Sequence, residues 1–251
     1  MDNLGFFCFY LDMSQFILAI ETSTRRGEAA VSVDGTVLNV RPLDTDGKRH
    51  AQTLVTEIDA MLAESSLRKQ DCRAVAISIG PGSFTGLRVG VVFAKTLAYA
   101  LGCKVVAVDT FLALAAACPN TLDHVAVVSD AQRSGLFVAE YKRQSDRTWQ
   151  REGKIEIVPT RAWCEIANQR SELSDAPLAV IGPNVAKLTD QLAACNVLGE
   201  EYHSPTANTI ATLGEQLFEQ LATDDYWQLE PFYLRKSAAE EKWDAAHSNE
   251  T

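Results

Sequence analysis

The chain has 251 residues, 47% hydrophobic and 22% charged, the balance of a globular protein with one large domain or two ordinary ones. Its net charge is −10, and its densest basic pairs are Arg25-Arg26 and Arg68-Lys69, which excludes a tight grip on nucleic acid through phosphate contacts alone. Six cysteines without a CxxC pair and four scattered histidines without HExxH exclude a disulfide frame and a helix-borne metal site, and they point to a reducing, cytoplasmic setting.

Leu4 to Leu11 is apolar, but it lacks a basic start and is too short to span a membrane. Met13 is the expected start, and residues 1–12 an extension outside the fold. Phe16–Glu21 reads as a buried strand. Glu28–Val33 and Thr36–Arg41 are two more, joined by the hairpin turn Asp34-Gly35. A polar loop, Asp44–Arg49, precedes an amphipathic helix His50–Glu64 whose stripe is Leu54, Ile58, Met61 and Leu62.

A strand over Ala74–Ile79 breaks at Gly80-Pro81-Gly82 and enters a helix over Ser83–Leu101. The glycines permit unusual backbone angles and Pro81 fixes one. Ser83 or Thr85 caps the helix. Free N–H groups there favour an anion, so Gly80, Gly82 and Ser83 are candidate nucleotide or phosphate contacts, against the plainer reading of a tight turn. Gly86, Gly90, Ala94 and Ala98 fall four apart on one helix face, flanked by Leu87, Val91, Phe93 and Leu97. That row packs on the chain's own sheet or against a helix of another chain; the spacing does not choose. Lys104–Val108 is a strand and Phe111–Ala117 a short helix closed by Pro119.

The pattern then repeats. Val125–Ser129 is a strand ending at Asp130, as the first ends at Glu21, and a polar turn with a glycine comes after both. Both acids are expected to accept backbone N–H groups at the strand ends. Strands Leu136–Lys142, Lys154–Val158 and Leu178–Ile181 come next, with helices near Arg161–Gln169, Asn184–Ala194 and Ala207–Leu221. This predicts a duplicated α/β fold with a mixed sheet and helices in each lobe, over residues 13–120 and 121–236, and a loose acidic tail over 237–251. Two lobes with acid-tipped first strands resemble the actin-like, sugar-kinase (ribonuclease-H-like) fold, where a nucleotide sits between the lobes. That likeness alone makes no ATPase.

Five segments carry a more specific resemblance: Phe16–Ser23, His50-Ala51-Gln52, Gly80–Gly90, Asp130-Ala131 with Glu140-Tyr141, and Glu230–Arg235. In this order they resemble the TsaB (YeaZ) family, over about residues 14 to 236. The resemblance implies a bacterial, non-catalytic platform that pairs with the enzyme TsaD through its first two helices. With the small ATPase TsaE they make threonylcarbamoyladenosine next to the anticodon of tRNAs. It also implies homodimers through the same surface, tRNA met only through the complex, and no cofactor beyond ATP or ADP at the partner interface. The implied interface residues are His50, Leu54, Ile58 and Met61 with Gly86, Gly90, Phe93, Ala94 and Leu97. Thr110 and Leu114 stand where the catalytic relatives carry two metal-binding histidines; leucine ligates no metal and neutral threonine does so poorly, so no catalytic and no metal residue is expected. The alternative is an ATP-binding or ATP-hydrolysing enzyme of the same fold. No Ser/His/Asp or Cys/His set supports a protease.

Overall fold

The computed structural model describes residues 15–43, 50–234 and 243; the expected extension, the loop 44–49, Arg235 and the tail apart from Trp243 lie outside the described residues. The first half runs β1 (Phe16–Glu21), β2 (Glu28–Val33), β3 (Thr36–Pro42), α1 (His50–Glu64), β4 (Cys72–Gly80), α2 (Phe84–Leu101), β5 (Lys104–Asp109) and α3 (Thr110–Ala116). The second runs β6 (His124–Gln132), β7 (Gly135–Arg143), β8 (Trp149–Pro159), α4 (Thr160–Glu172), β9 (Ala179–Ile181), β10 (Asn196–Val197) and α5 (Ala207–Glu219). The sheets are ordered β3-β2-β1-β4-β5 and β10-β9-β6-β7-β8. In both, the first three strands are antiparallel and the last two join in parallel. The repeat of one strand order is the duplicated actin-like architecture that the sequence pattern predicts.

The central strand β1 is buried along its whole length. Phe16, Leu18 and Ile20 face α1 and α2, while Ile17 and Ala19 face α5. A strand covered on both faces reads as an unbroken apolar run, which is why it was legible. The stripe of α1 is spent on the same core: Leu54, Ile58 and Met61 are all buried. The side chain of His50 lies outside the described residues.

The small row of α2 faces the chain's own sheet. A Cβ on Gly86 would stand 2.0 Å from the Thr22 carbonyl oxygen, and one on Gly90 2.2 Å from Thr22 Oγ1 and 2.9 Å from Ile77. Gly86, Gly90, Ala94 and Ala98 are buried there. The placement of Gly86, Gly90 and Ala94, with Leu54, Ile58 and Met61, on a partner-facing surface is therefore corrected: strand and helix backbones meet where these side chains are missing. The helix is long and apolar enough to cross a membrane by length and composition, but here it lies along a sheet.

Two helices cross between the lobes. The apolar face of α3 (Phe111, Leu114, Ala115) packs with Val125, Val127 and Tyr141 of the second sheet. In return α5 places Ala207, Ile210 and Ala211 on Ile17, Ala19, Ala74 and Ala76 of the first. Buried Glu215 of α5 accepts a hydrogen bond from Ser32 Oγ at 2.7 Å and pairs with Arg73. A boundary at 120/121 thus separates the sheets but not the helices that cover them. Two further departures are local. The helix expected over Asn184–Ala194 is a 3₁₀ turn, Val185–Gln191, entered through a left-handed Asn184 (φ 68°). Strand β8 starts at Trp149, ahead of the expected Lys154, because Gly153 (φ 74°) absorbs an irregularity in its pairing with β7 that reads as a loop.

Candidate functional site: the cleft between the lobes

The carboxyl ends of β1, β4, β6 and β9 open on one cleft of about 810 Å3. One wall is Ser23 to Arg26 with Pro81 to Thr85; the other is Ser129 to Gln132 with Pro183 and Asn184; Phe232, Tyr233 and Leu234 also line it. Ligands of open α/β sheets bind at such strand ends. The walls mirror each other more closely than the acid-tipped strands alone suggest. Ile79-Gly80-Pro81 ends the fourth strand of the first lobe, and Ile181-Gly182-Pro183 the fourth of the second. Gly80 has φ 117° and Gly182 φ 123°, angles that side-chained residues avoid. The tripeptide repeat is visible in the sequence.

The acids at the ends of β1 and β6 close their own turns. Glu21 Oε1 accepts from the Ser23 N–H at 2.5 Å, and Asp130 Oδ1 from the Gln132 N–H at 2.7 Å. Glu21 is wholly buried. Burial without a counter-charge raises its pKa to about 7, partly offset by the Ser23 and Ser78 hydroxyls. Asp130 is exposed on the cleft wall.

Of the anion candidates, Gly82 and Ser83 line the cleft while Gly80 is buried beneath it. Two of the expected donors are already spent. The Gly80 N–H donates to Thr110 Oγ1 at 3.0 Å, and the Ser83 N–H to the Ser23 carbonyl at 2.6 Å. Ser83 caps α2 by accepting from the Gly86 N–H at 3.3 Å. A Cβ on Gly82 would lie 2.6 Å from Ser23, so this glycine is required by the crossing of the two turns.

Thr110 and Leu114 stand on α3, 1% and 0% exposed. Thr110 is engaged with Gly80 and Leu114 lies among the second lobe's apolar side chains. Just before them, Asp109 ties the lobes. Its Oδ1 caps α3 through Phe111 and Leu112 N–H, and its Oδ2 accepts from Tyr141 at 3.2 Å and Arg151 at 2.8 Å. Sequence reading missed this role.

Another assembly lies away from the cleft. His124 Nε2 is 2.8 Å from Glu140 and 3.8 Å from Glu152, a donor set across three strands that counting histidines along the chain did not anticipate. Arg170 pairs with Glu140 and Lys142 with Glu152, so cationic side chains already occupy the carboxylates. Hydrogen bonds from Arg170 and then His124 hold Glu140 down to about 2.

The Glu230–Leu234 segment has a bracing role. The Phe232 N–H donates to the Ile79 carbonyl at 2.7 Å. Tyr233 packs on Phe84 at 4.8 Å and accepts from Arg88 at 3.0 Å, and Arg88 in turn covers Phe84. The segment thereby holds the turn into α2.

The outer side of α1 and α2 carries the remaining apolar surface. Val55, Val92 and Tyr99 are exposed, and half-buried Phe93 and Leu97 flank a groove of about 90 Å3 between the helices. Phe93 and Leu97 are the two residues of the expected interface whose described side chains reach solvent.

A family model described as TsaD, tRNA N6-adenosine threonylcarbamoyltransferase, matches residues 40–243. The chain is 28% identical to the tRNA threonylcarbamoyladenosine biosynthesis protein TsaB of Bacillus subtilis over 238 residues, 90% of this chain and 97% of that one. It is 27% identical to the protein of the same name from Escherichia coli over 230 residues, with the same coverage. Among solved structures, YeaZ from Pseudomonas aeruginosa superposes with a TM-score of 0.71 at 22% identity, covering 88% of this chain and 100% of that one, which shows the shared fold. The chain belongs to the family that the matching model describes, and its full-length relatives place it on the TsaB (YeaZ) branch.

Proposed function

We propose that the chain acts in the biosynthesis of threonylcarbamoyladenosine in tRNA as a non-catalytic platform and dimerization subunit that pairs with TsaD, works with TsaE and meets tRNA only within the complex. The observation that carries this is the start of α3. Where catalytic relatives are expected to hold a metal through two histidines, Thr110 spends its hydroxyl on the Gly80 N–H and Leu114 is sealed in the core. Neither offers a side chain to a metal facing the cleft. The net charge of −10 fits a subunit that leaves tRNA contacts to its partners.

The docking face is the outer side of α1 and α2, built from Val55, Val92, Phe93, Leu97 and Tyr99. The buried glycine row shapes it only indirectly, by letting α2 sit low on the sheet. The same face serves homodimers of the free chain.

Reconstitution tests the reading. Supplied with tRNA, threonine, bicarbonate, ATP and the enzyme that makes the activated threonyl intermediate, the chain alone should make no modified adenosine, and adding TsaD and TsaE should restore synthesis. Turnover by the chain alone at the rate of the full complex overturns it. Val92→Glu should leave the melting temperature unchanged and weaken TsaD binding by roughly ten-fold or more, a change of ~1.4 kcal/mol.

A second reading, an ATP-binding enzyme, is favoured by one observation, the open cleft with Gly82 and Ser83 on its wall. Saturable ATP binding by the isolated chain, lost on Ser83→Asp, which keeps a helix-capping side chain but repels phosphate, supports it. Any nucleotide that appears only with TsaD present belongs to the partner interface.

A further inference from the structure

Nothing in the sequence spacing pairs Cys72 with Cys103, thirty-one residues apart. The register of the first sheet brings them face to face. In the parallel pair of β1 and β4, Phe16 stands opposite Cys72 and the next residue, Ile17, opposite Ala74. Arg73 is therefore an extra residue, a bulge, and bulges re-aim the side chains beside them. Its guanidinium is drawn off to Glu215 and the Phe218 ring. With Arg73 looped out, Cys72 takes the step before Ala74. On the neighbouring strand Ala74 stands opposite Lys104, and Cys103 is the step before Lys104. Both thiols fall on the α1–α2 side, in one apolar cluster, where the Cys72 S–H donates to the Ala74 carbonyl at 3.3 Å. Neighbouring strands lie about 4.8 Å apart, inside the roughly 4.4–6.8 Å Cα range of a disulfide.

We propose that Cys72 and Cys103 form a dithiol–disulfide couple that staples the start of β4 to the end of α2 beneath the α1–α2 groove. Three features favour closure. Cys72 lines the groove, so the pair lies at its floor, and both thiols keep a small exposed fraction, Cys103 the larger at 8%. Cys103 comes directly after Gly102, a left-handed residue (φ 67°) with no atom within 4 Å of where its Cβ would be, so the backbone has room to turn. The neighbouring Cys72 thiol lowers the pKa of Cys103, while Cys103 and burial push the Cys72 thiol well up, so Cys103 is the better thiolate of the two.

The co-reactant is a low-molecular-weight disulfide such as oxidised glutathione. The Cys103 thiolate attacks one of its sulfurs, forming a mixed disulfide and releasing one small thiolate. Cys72 loses its proton to solvent and attacks the Cys103 sulfur, forming the protein disulfide and releasing the second thiolate. Two protein thiols are oxidised and one small disulfide is reduced to two thiols. The couple needs neither TsaD nor tRNA and does not rest on the proposed subunit role.

The test is oxidation of the full chain with glutathione disulfide, followed by peptide mapping without reductant. The expected product is a peptide linking Cys72 to Cys103, reversed by dithiothreitol, together with a melting temperature higher by about 5 °C. Cys103→Ser should lose both the linked peptide and the rise. Should Cys103→Ser fold poorly, Cys72→Ser serves as the second variant, and there glutathione should remain on Cys103. Glutathione persisting on wild-type Cys103, no reaction at either thiol, or linkage to a different cysteine overturns the proposal.

Discussion

The two lobes share one strand order and one Ile-Gly-Pro turn, yet they build different elements after that turn. After Gly80-Pro81 the first lobe forms an 18-residue helix, α2; after Gly182-Pro183 the second forms only the 3₁₀ turn Val185–Gln191. The difference lies in the glycines. Gly82, Gly86 and Gly90 let α2 descend onto Thr22 and Ser23, so the helix and the end of β1 form one closely packed wall. The second lobe has no such row, and its fourth and fifth strands shrink to three and two residues. A helix packed against a strand end demands missing side chains; a short turn does not. The tighter packing falls in the lobe whose outer helices carry the proposed docking face.

The comparison breaks most easily at Gly86. Gly86→Ala places a methyl 2.0 Å from a backbone carbonyl, and the helix must move. A loss of about 3 kcal/mol or more, the upper end of overpacking costs, is expected in denaturant unfolding. Ala186→Leu, exposed on the 3₁₀ turn of the other lobe, should stay within about 0.5 kcal/mol of the parent. Equal losses would mean that the lobes are built to the same tolerance.

The lobes should also respond to pH with opposite signs. Glu21 is raised to about 7 by burial, from an ordinary value of 4.5. A raised folded-state pKa means that the folded chain holds the proton more tightly. Its contribution is full below 4.5 and is lost as pH rises through 7, about 3 kcal/mol in all. Glu21→Gln should flatten this limb in denaturant unfolding measured from pH 5 to 8. Glu140 is held down to about 2 by Arg170 and His124. Its contribution is present above 4.5 and is lost as pH falls towards 2, about 1–2 kcal/mol after allowance for solvent screening. Glu140→Gln should remove that acid-side loss while leaving the neutral limb intact.

The joint between the lobes ranks next. Asp109→Ala removes the cap of α3 and leaves Tyr141 and Arg151 without their shared acceptor. About 2 kcal/mol should be lost, and Asp109→Asn should recover roughly half of it, read by thermal melts. Smallest is Tyr233→Phe, which removes only the exposed hydrogen bond to Arg88 and keeps the ring on Phe84. It should change stability by no more than about 0.5 kcal/mol.

How much of this was legible depends on how local each signal is. The fully buried β1 and the 3.6-residue stripe of α1 announce themselves, and α1 was placed residue for residue. The duplication was readable from the acid-tipped strands. The direction in which the glycine row faces was not, because a face without side chains is the same pattern whether a sheet or a foreign helix approaches it. The crossing of α3 and α5 was equally hidden: an amphipathic helix states that it must be covered, not by which sheet. For the site, Gly82 and Ser83 do line the cleft, but the carbonyl and hydroxyl that consume the neighbouring N–H groups come from Ser23 and Thr110, far away in sequence. The bulge at Arg73 that pairs the two thiols leaves no signature in a single sequence.

The exchange of α3 and α5 has a consequence for how the chain is born. The face of the first sheet formed by Ile17, Ala19, Ala74 and Ala76 is covered by α5, Ala207–Glu219. A ribosome that has finished the first sheet still has most of the second half to translate before that cover exists. Throughout this interval a sticky apolar surface is on display, a natural target for holding chaperones and a hazard for aggregation. A gene fragment ending at the sheet boundary should therefore yield insoluble protein. Supplying the missing half in trans should rescue it, since the two pieces complete each other's cores.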